Sequence, residues 1–133
     1  MNINSVYILE DRSVIYISGD DSESFLQNLI SNDIRKVTES KSCFASLLTP
    51  QGKYLYEFII TKHKEGYFLE CEKKIIEDLF KKLNSYKLRS KIEILNLSNE
   101  FVVAVISKDK FLSLKESKNI MGYTIKFRED PVY

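Results

Sequence analysis

The stretch Ser42-Cys43-Phe44-Ala45-Ser46-Leu47-Leu48-Thr49-Pro50-Gln51-Gly52-Lys53-Tyr54-Leu55-Tyr56-Glu57-Phe58-Ile59-Ile60-Thr61-Lys62 decides the fold. Two runs rich in β-branched and aromatic residues flank Thr49-Pro50-Gln51-Gly52, in which Pro presets φ and Gly tolerates the exit geometry. The spacing predicts a long antiparallel hairpin of strands 42–48 and 53–62. Upstream, residues 6–9 and 14–18 read as strands around the polar turn Glu10-Asp11-Arg12, and Gly19 stops the second. Asp20 as N-cap with Glu23 as its capping-box partner, then Phe25, Leu26, Leu29 and Ile30 at helical spacing, predict a helix over 21–31.

Downstream, Gly66 marks a turn before a strand over 67–72, and Ile75, Ile76, Leu79, Phe80 and Leu83 predict a helix over 73–84. Residues 91–97 alternate, and 100–106 are continuously apolar, as a strand buried on both faces would be. Residues 109–114 suggest a short helix and 120–127 a last alternating strand. The expected fold is α+β, a mainly antiparallel sheet with two main helices. The expected core includes Phe25, Leu29, Ile76, Phe80, Val103 and Val105.

The chain of 133 residues favours one domain spanning 1–133, with no linker or repeat to divide it. Twenty basic and 19 acidic residues leave a net charge of +1, so no basic excess points to nucleic acid. The longest apolar run, Phe101 to Ile106, is far short of the roughly 20 residues of a membrane helix, and Met1-Asn2-Ile3-Asn4-Ser5 lacks a signal-peptide pattern. Cys43 and Cys71 stand apart, fitting a reducing, cytoplasmic setting.

Nucleotide-binding glycine loops, zinc-protease and paired Cys motifs and a nucleophile elbow are all absent. His63 is the single histidine, which argues against an ordinary zinc site, and its charged neighbours suggest a solvated turn. Cys43 and Cys71 read as small core residues, and the Lys73-Lys74 and Lys81-Lys82 pairs as a solvated helix face.

Glu57 is different. Strand alternation puts Leu55, Glu57, Ile59 and Thr61 on one face and Tyr54, Tyr56, Phe58 and Ile60 on the other, so a carboxylate sits between apolar neighbours. If Leu48 pairs with Lys53, Phe44 faces Glu57; a one-residue bulge would switch the faces. An aromatic and a carboxylate on a partly apolar face suit a flat, nitrogen-rich ligand. The alternative is an edge-strand charge or an ion pair with a nearby Lys.

Three further stretches carry a resemblance. They are Ser18-Gly19-Asp20-Asp21 with Phe25-Leu26-Gln27 and Ser31-Asn32-Asp33-Ile34, then Leu47 to Lys53, then Tyr86-Lys87-Leu88-Arg89-Ser90-Lys91-Ile92-Glu93-Ile94. In this order the chain resembles the N-terminal domain of YgfZ-type folate-binding proteins, relatives of the glycine-cleavage T protein, an aminomethyltransferase. The resemblance implies a tetrahydrofolate-binding domain that assists maturation or repair of iron–sulfur proteins, with iron–sulfur proteins or assembly factors as partners. It implies a folate site with Phe44, Tyr56 and Glu57, to which the strand alternation adds Leu55 and Ile59, with Glu57 matching the second of two adjacent aspartates and serving as the catalytic group if catalysis remains. Tyr56 replaces the first aspartate, and Cys71 or Glu72 stands where the family has a pocket asparagine. The family's Lys-Gly-Cys signature is absent, so the chain looks like the first part of a longer multidomain protein. Surface meant for later domains would then favour a homodimer. Two other readings are an aminomethyltransferase fragment and an interaction module that has lost folate binding.

Overall fold

A computed structural model describes residues 6–106. The sequence-predicted helix over 109–114 and strand over 120–127 lie outside the described residues. Nine elements run in the order β1 (Val6–Leu9), β2 (Arg12–Ser18), α1 (Ser22–Gln27), β3 (Cys43–Leu48), β4 (Tyr54–His63), β5 (Gly66–Glu72), α2 (Ile76–Lys87), β6 (Glu93–Asn96) and β7 (Val103–Ile106). Short 3₁₀ turns at Ile34–Lys36 and Lys73–Ile75 complete the described structure. The architecture is α+β: a five-stranded sheet in the order β3-β4-β5-β2-β6, whose described pairings are all antiparallel, and a two-stranded ribbon of β1 and β7.

Alternation along the strands sends one set of side chains to the helices. Ile15, Ile17, Ala45, Leu47, Phe58, Ile60, Leu69 and Cys71 join Leu26 of α1 and Leu79 and Leu83 of α2 in one buried cluster. The opposite face is partly covered: Val14, Ile59 and Phe68 are buried there outside the main cluster, with Phe101 packed on Phe68, while Phe44, Leu55 and Leu95 are part-exposed.

Four expectations are corrected. Helix α1 is six residues long, not eleven, because the chain after it is used elsewhere: the Leu29 carbonyl accepts from Leu48 N–H (2.9 Å), and Ile30 bridges to Leu47. The helix N-cap is Asp21 rather than Asp20, and its carboxylate accepts the Lys91 N–H (2.7 Å) in place of a capping box. The 101–106 run is not buried on both faces. Its strand β7 pairs with β1 in the ribbon, so Val103 and Val105 fall outside the core and Val102 is exposed; an apolar run by itself does not reveal which layer will cover it. His63 is not a solvated turn residue. It ends β4 with its ring stacked on Phe68 (4.6 Å between centroids), while the Tyr16 hydroxyl donates to its carbonyl (3.0 Å). Burial, with a smaller push from Glu65, raises the Tyr16 phenol above its ordinary pKa.

The second helix extends to Lys87 and ends with Leu88 at φ +44°, an unusual left-handed position for a leucine. Phe25 and Ile76 are buried as expected, and Leu29 and Phe80 pack against the core part-exposed.

Candidate functional site

The hairpin β3–β4 builds one wall of the site. Its turn closes with Thr49 N–H on the Lys53 carbonyl (2.8 Å) and Gly52 N–H on the Thr49 carbonyl (2.9 Å), with Gly52 at φ +85°. Leu48 then pairs with Tyr54, but Leu47 pairs with Tyr56, so a bulge inserts Leu55. Beyond the bulge Ser46 faces Glu57 and Phe44 faces Ile59. The expected Phe44–Glu57 pairing is therefore corrected by two residues. The turn closes one residue later than expected and the bulge adds another; because two steps preserve strand parity, Phe44, Leu55, Glu57 and Ile59 still share a face.

A second device opens the site. The β4–β5 ladder runs from His63↔Gly66 to Ile59↔Glu70 and stops there. Past that point β4 continues with β3 alone, while Cys71 and Glu72 of β5 continue with Ser13 and Arg12 of β2. The sheet splits, and a depression of about 360 Å³ lies in the split. Its β4 side carries Tyr54, Leu55, Tyr56, Glu57 and Ile59, with Phe44 from β3; its other side carries Arg12, Glu72, Lys74 and Ile75. All five residues singled out from the sequence therefore line one depression.

The outer edge of β3 is braced where it backs the site. Ser31 N–H donates to the Ser46 carbonyl (2.9 Å), the Asn32 amide to the Phe44 carbonyl (2.9 Å), and Ser46 N–H to the Ser31 hydroxyl (2.8 Å). These bonds hold the strand carrying Phe44 by the segment that leaves α1.

The charges are distributed unevenly. Arg12 donates through Nε and Nη2 to the Glu70 carboxylate, and both groups are about one-fifth exposed. Lys74 pairs with Glu72 at 3.1 Å, with exposed side chains. Glu57 is exposed and has no hydrogen bond or ion pair among the described residues, although Arg12 and Lys74 line the same depression. A nearby-lysine ion pair therefore does not account for it. An edge position does apply locally: the β4–β5 ladder ends at Ile59, so at Glu57 β4 is paired with β3 alone.

Cys71 points the other way, into the core, where burial pushes its thiol up to about 12; Cys43 is also buried and raised, chiefly by desolvation. Neither is positioned as a nucleophile for the depression. Among the described residues no three His, Cys, Asp or Glu side chains are grouped to hold a metal ion.

Arg12, Lys74 and Ile75 went unnoticed in the sequence because they reach the site from another strand and a turn. Arg12 reads locally as a turn residue and Lys74 as part of a solvated face. A β2–β5 register, which brings Arg12 opposite Glu72, is the signal that would have found them. Where the resemblance left Cys71 and Glu72 as alternatives to an asparagine, Glu72 lines the depression.

No family model matches the chain. It is 30% identical over 107 residues to the tRNA-modifying protein YgfZ of Photobacterium profundum, covering 75% of this chain and 32% of that protein. It is 30% identical over 99 residues to the mitochondrial iron-sulfur cluster assembly factor IBA57 homolog of Neurospora crassa, covering 69% of this chain and 23% of that protein. The chain is a relative of the YgfZ and IBA57 proteins. It spans roughly a quarter to a third of the length of these relatives. The glycine cleavage system aminomethyltransferase T from Bartonella henselae superposes with a TM-score of 0.69 over 85% of this chain and 31% of its own. At 15% identity that likeness shows a shared fold for this YgfZ-related domain. Among the described residues no helix is long and apolar enough to cross a membrane.

Proposed function

We propose that this domain binds a reduced folate in the split of its sheet and serves the maturation or repair of iron–sulfur proteins in the cytoplasm. The observation that carries the ligand reading is Glu57, a carboxylate with no ion pair among the described residues, flanked by Leu55 and Ile59 in a depression with part-exposed Phe44. A reduced pterin is a flat heterocycle rich in N–H donors, and this wall offers apolar contact with one strong acceptor. Phe44, Leu55 and Ile59 would contact the ring or its aromatic linker, Tyr56 would close the floor, and Glu57 would accept from a ring or amino nitrogen. A charge-assisted bond of this kind contributes about 1.5–3 kcal/mol. The depression, about 360 Å³, is near the lower end of the roughly 300–1,000 Å³ typical of ligand sites, which suits the pterin end better than a whole folate.

The iron–sulfur role is supported by a relative named an iron–sulfur cluster assembly factor, and its partners would be iron–sulfur proteins or their assembly factors. On this reading residues 1–133 act as one folate-binding domain of a longer protein, and the free Cys43 and Cys71 suit a reducing compartment. Calorimetric titration with tetrahydrofolate tests the ligand. Saturable binding that Glu57→Gln weakens supports it, and no binding at millimolar folate overturns it. Turnover with an aminomethyl donor would instead favour a transferase.

A further inference from the structure

We propose that the basic turn closing α2 is a docking surface for an acidic segment of a protein partner, with Leu88 as its apolar anchor. The turn belongs to the stretch Tyr86–Ile94, which carries part of the sequence resemblance. None of that stretch lines the split of the sheet, so the surface is independent of the folate reading.

The backbone at Leu88 is the starting point. Ser90 N–H donates to the Lys87 carbonyl (2.8 Å), closing a four-residue turn in which Leu88 takes φ +44° and ψ −115°. These angles match the first central position of a type II′ turn, where glycine is the usual residue because a side chain is strained there. The leucine held in this conformation is 87% exposed. Neither the turn nor the core is served by it, so what it offers is an apolar contact outside the fold.

Charge surrounds that contact. The run Lys81–Lys91 holds Lys81, Lys82, Lys87, Arg89 and Lys91 and no acidic residue. None of the five makes an ion pair among the described residues. Beside them a second depression of about 360 Å³ adjoins the turn through Tyr86 and Ser90, with Phe25 and Leu29 across from them. Its one acidic residue, Asp21, is engaged with the Lys91 N–H (2.7 Å). Leu29 and Tyr86 are part-exposed, so a partner's apolar side chain can enter next to Leu88 while flanking carboxylates meet the cations.

These features favour a protein segment over other polyanions. Tyr86 is part-buried and carries the Lys82 ammonium over its ring (5.9 Å), which leaves little surface for a nucleic-acid base to stack on. A lipid surface calls for a broad apolar face, and Leu88 is the single strongly exposed apolar residue of the run.

The test is calorimetric titration of the 133-residue chain, with amide shifts to locate the contact. The probes are a peptide of glutamates and aspartates around a central leucine–phenylalanine pair, its glutamine and asparagine counterpart, single-stranded RNA, and phosphatidylserine vesicles. The acidic peptide is expected to bind at residues 81–91 and the adjoining depression, and to weaken as salt rises from about 0.05 to 0.5 M. Leu88→Gly should lower its affinity about tenfold, and Lys81→Gln combined with Arg89→Gln by a similar factor with a flatter salt dependence. Glycine relieves the turn, so the thermal midpoint of Leu88→Gly should hold or rise. Equal affinity for the uncharged peptide, tighter binding of RNA or vesicles, or no peptide binding overturns the proposal. So does a lowered midpoint in Leu88→Gly, which would make Leu88 structural, or self-association that this variant abolishes, which would assign the turn to a second copy of the chain.

Discussion

Glu57 and Phe58 are neighbours on β4 whose side chains leave opposite faces of the sheet, so substituting each in turn separates binding from folding. Glu57 is exposed and makes no ion pair or hydrogen bond among the described residues, whereas Phe58 is 1% exposed in the core. Replacing Glu57 by Gln keeps an acceptor of the same size and removes the charge. The difference between a charge-assisted and a neutral hydrogen bond is about 1–1.5 kcal/mol, so tetrahydrofolate should bind roughly tenfold more weakly. Glu57→Ala should weaken it at least as much. Stability should change by no more than about 0.5 kcal/mol in either variant, because no partner is lost. Phe58→Ala should do the reverse, costing about 3–5 kcal/mol through a core cavity. Calorimetric titration under reducing conditions reads the first effect and urea unfolding the second. Unchanged affinity in Glu57→Gln with a stability loss above about 1 kcal/mol would make Glu57 a structural residue and refute the reasoning.

Three further outcomes are expected. Gly66→Ala should destabilise by about 1–3 kcal/mol in urea unfolding, since a Cβ there would lie 2.5 Å from the Ile17 carbonyl oxygen and 2.6 Å from the Tyr16 hydroxyl, inside the β2–β5 ladder; an unchanged midpoint would contradict that packing. Cys71 is a neutral thiol in the fold with its pKa raised to about 12, so the folded state holds the proton longer than the unfolded chain: this contribution to stability is complete below pH about 9 and is lost as pH rises through about 12. Cys71→Ala should flatten that alkaline loss, and an identical pH profile would count against it. The part-exposed apolar side chains Phe44, Leu55 and Leu95 on one sheet face should drive self-association at tens of micromolar; a clean monomer in sedimentation velocity would argue otherwise.

Much of the fold is legible because the strands obey parity. The runs around Thr49–Gly52 alternate cleanly, so the face carrying Glu57 follows from Phe58 and Ile60 needing the other one. Register is less legible. The later closure at Lys53 and the bulge at Leu55 each shift the pairing by one, and only their sum preserves the face. Helix α1 is overread for a different reason: Leu29 and Ile30 keep helical spacing, yet their backbone is drawn into contacts with β3 that no local pattern records. Val103 and Val105 are overread because hydrophobicity signals a wish for burial, and pairing with β1 places them in a ribbon away from the main core. The far side of the site, from Arg12 to Ile75, is built by tertiary register alone.

The divergence of β4 from β5 has a consequence for how the molecule opens. Residues 54–58 are tied to the sheet through β3 on one side only, so this arm belongs to a cooperative unit that can separate below the global unfolding free energy. A ligand touching both sides of the gap acts as a reversible cross-link, and by mass action it raises the free energy of that partial opening. Backbone amide exchange along 54–58 should then slow with ligand concentration, while exchange in the middle of β2, paired on both sides, should be set by global unfolding.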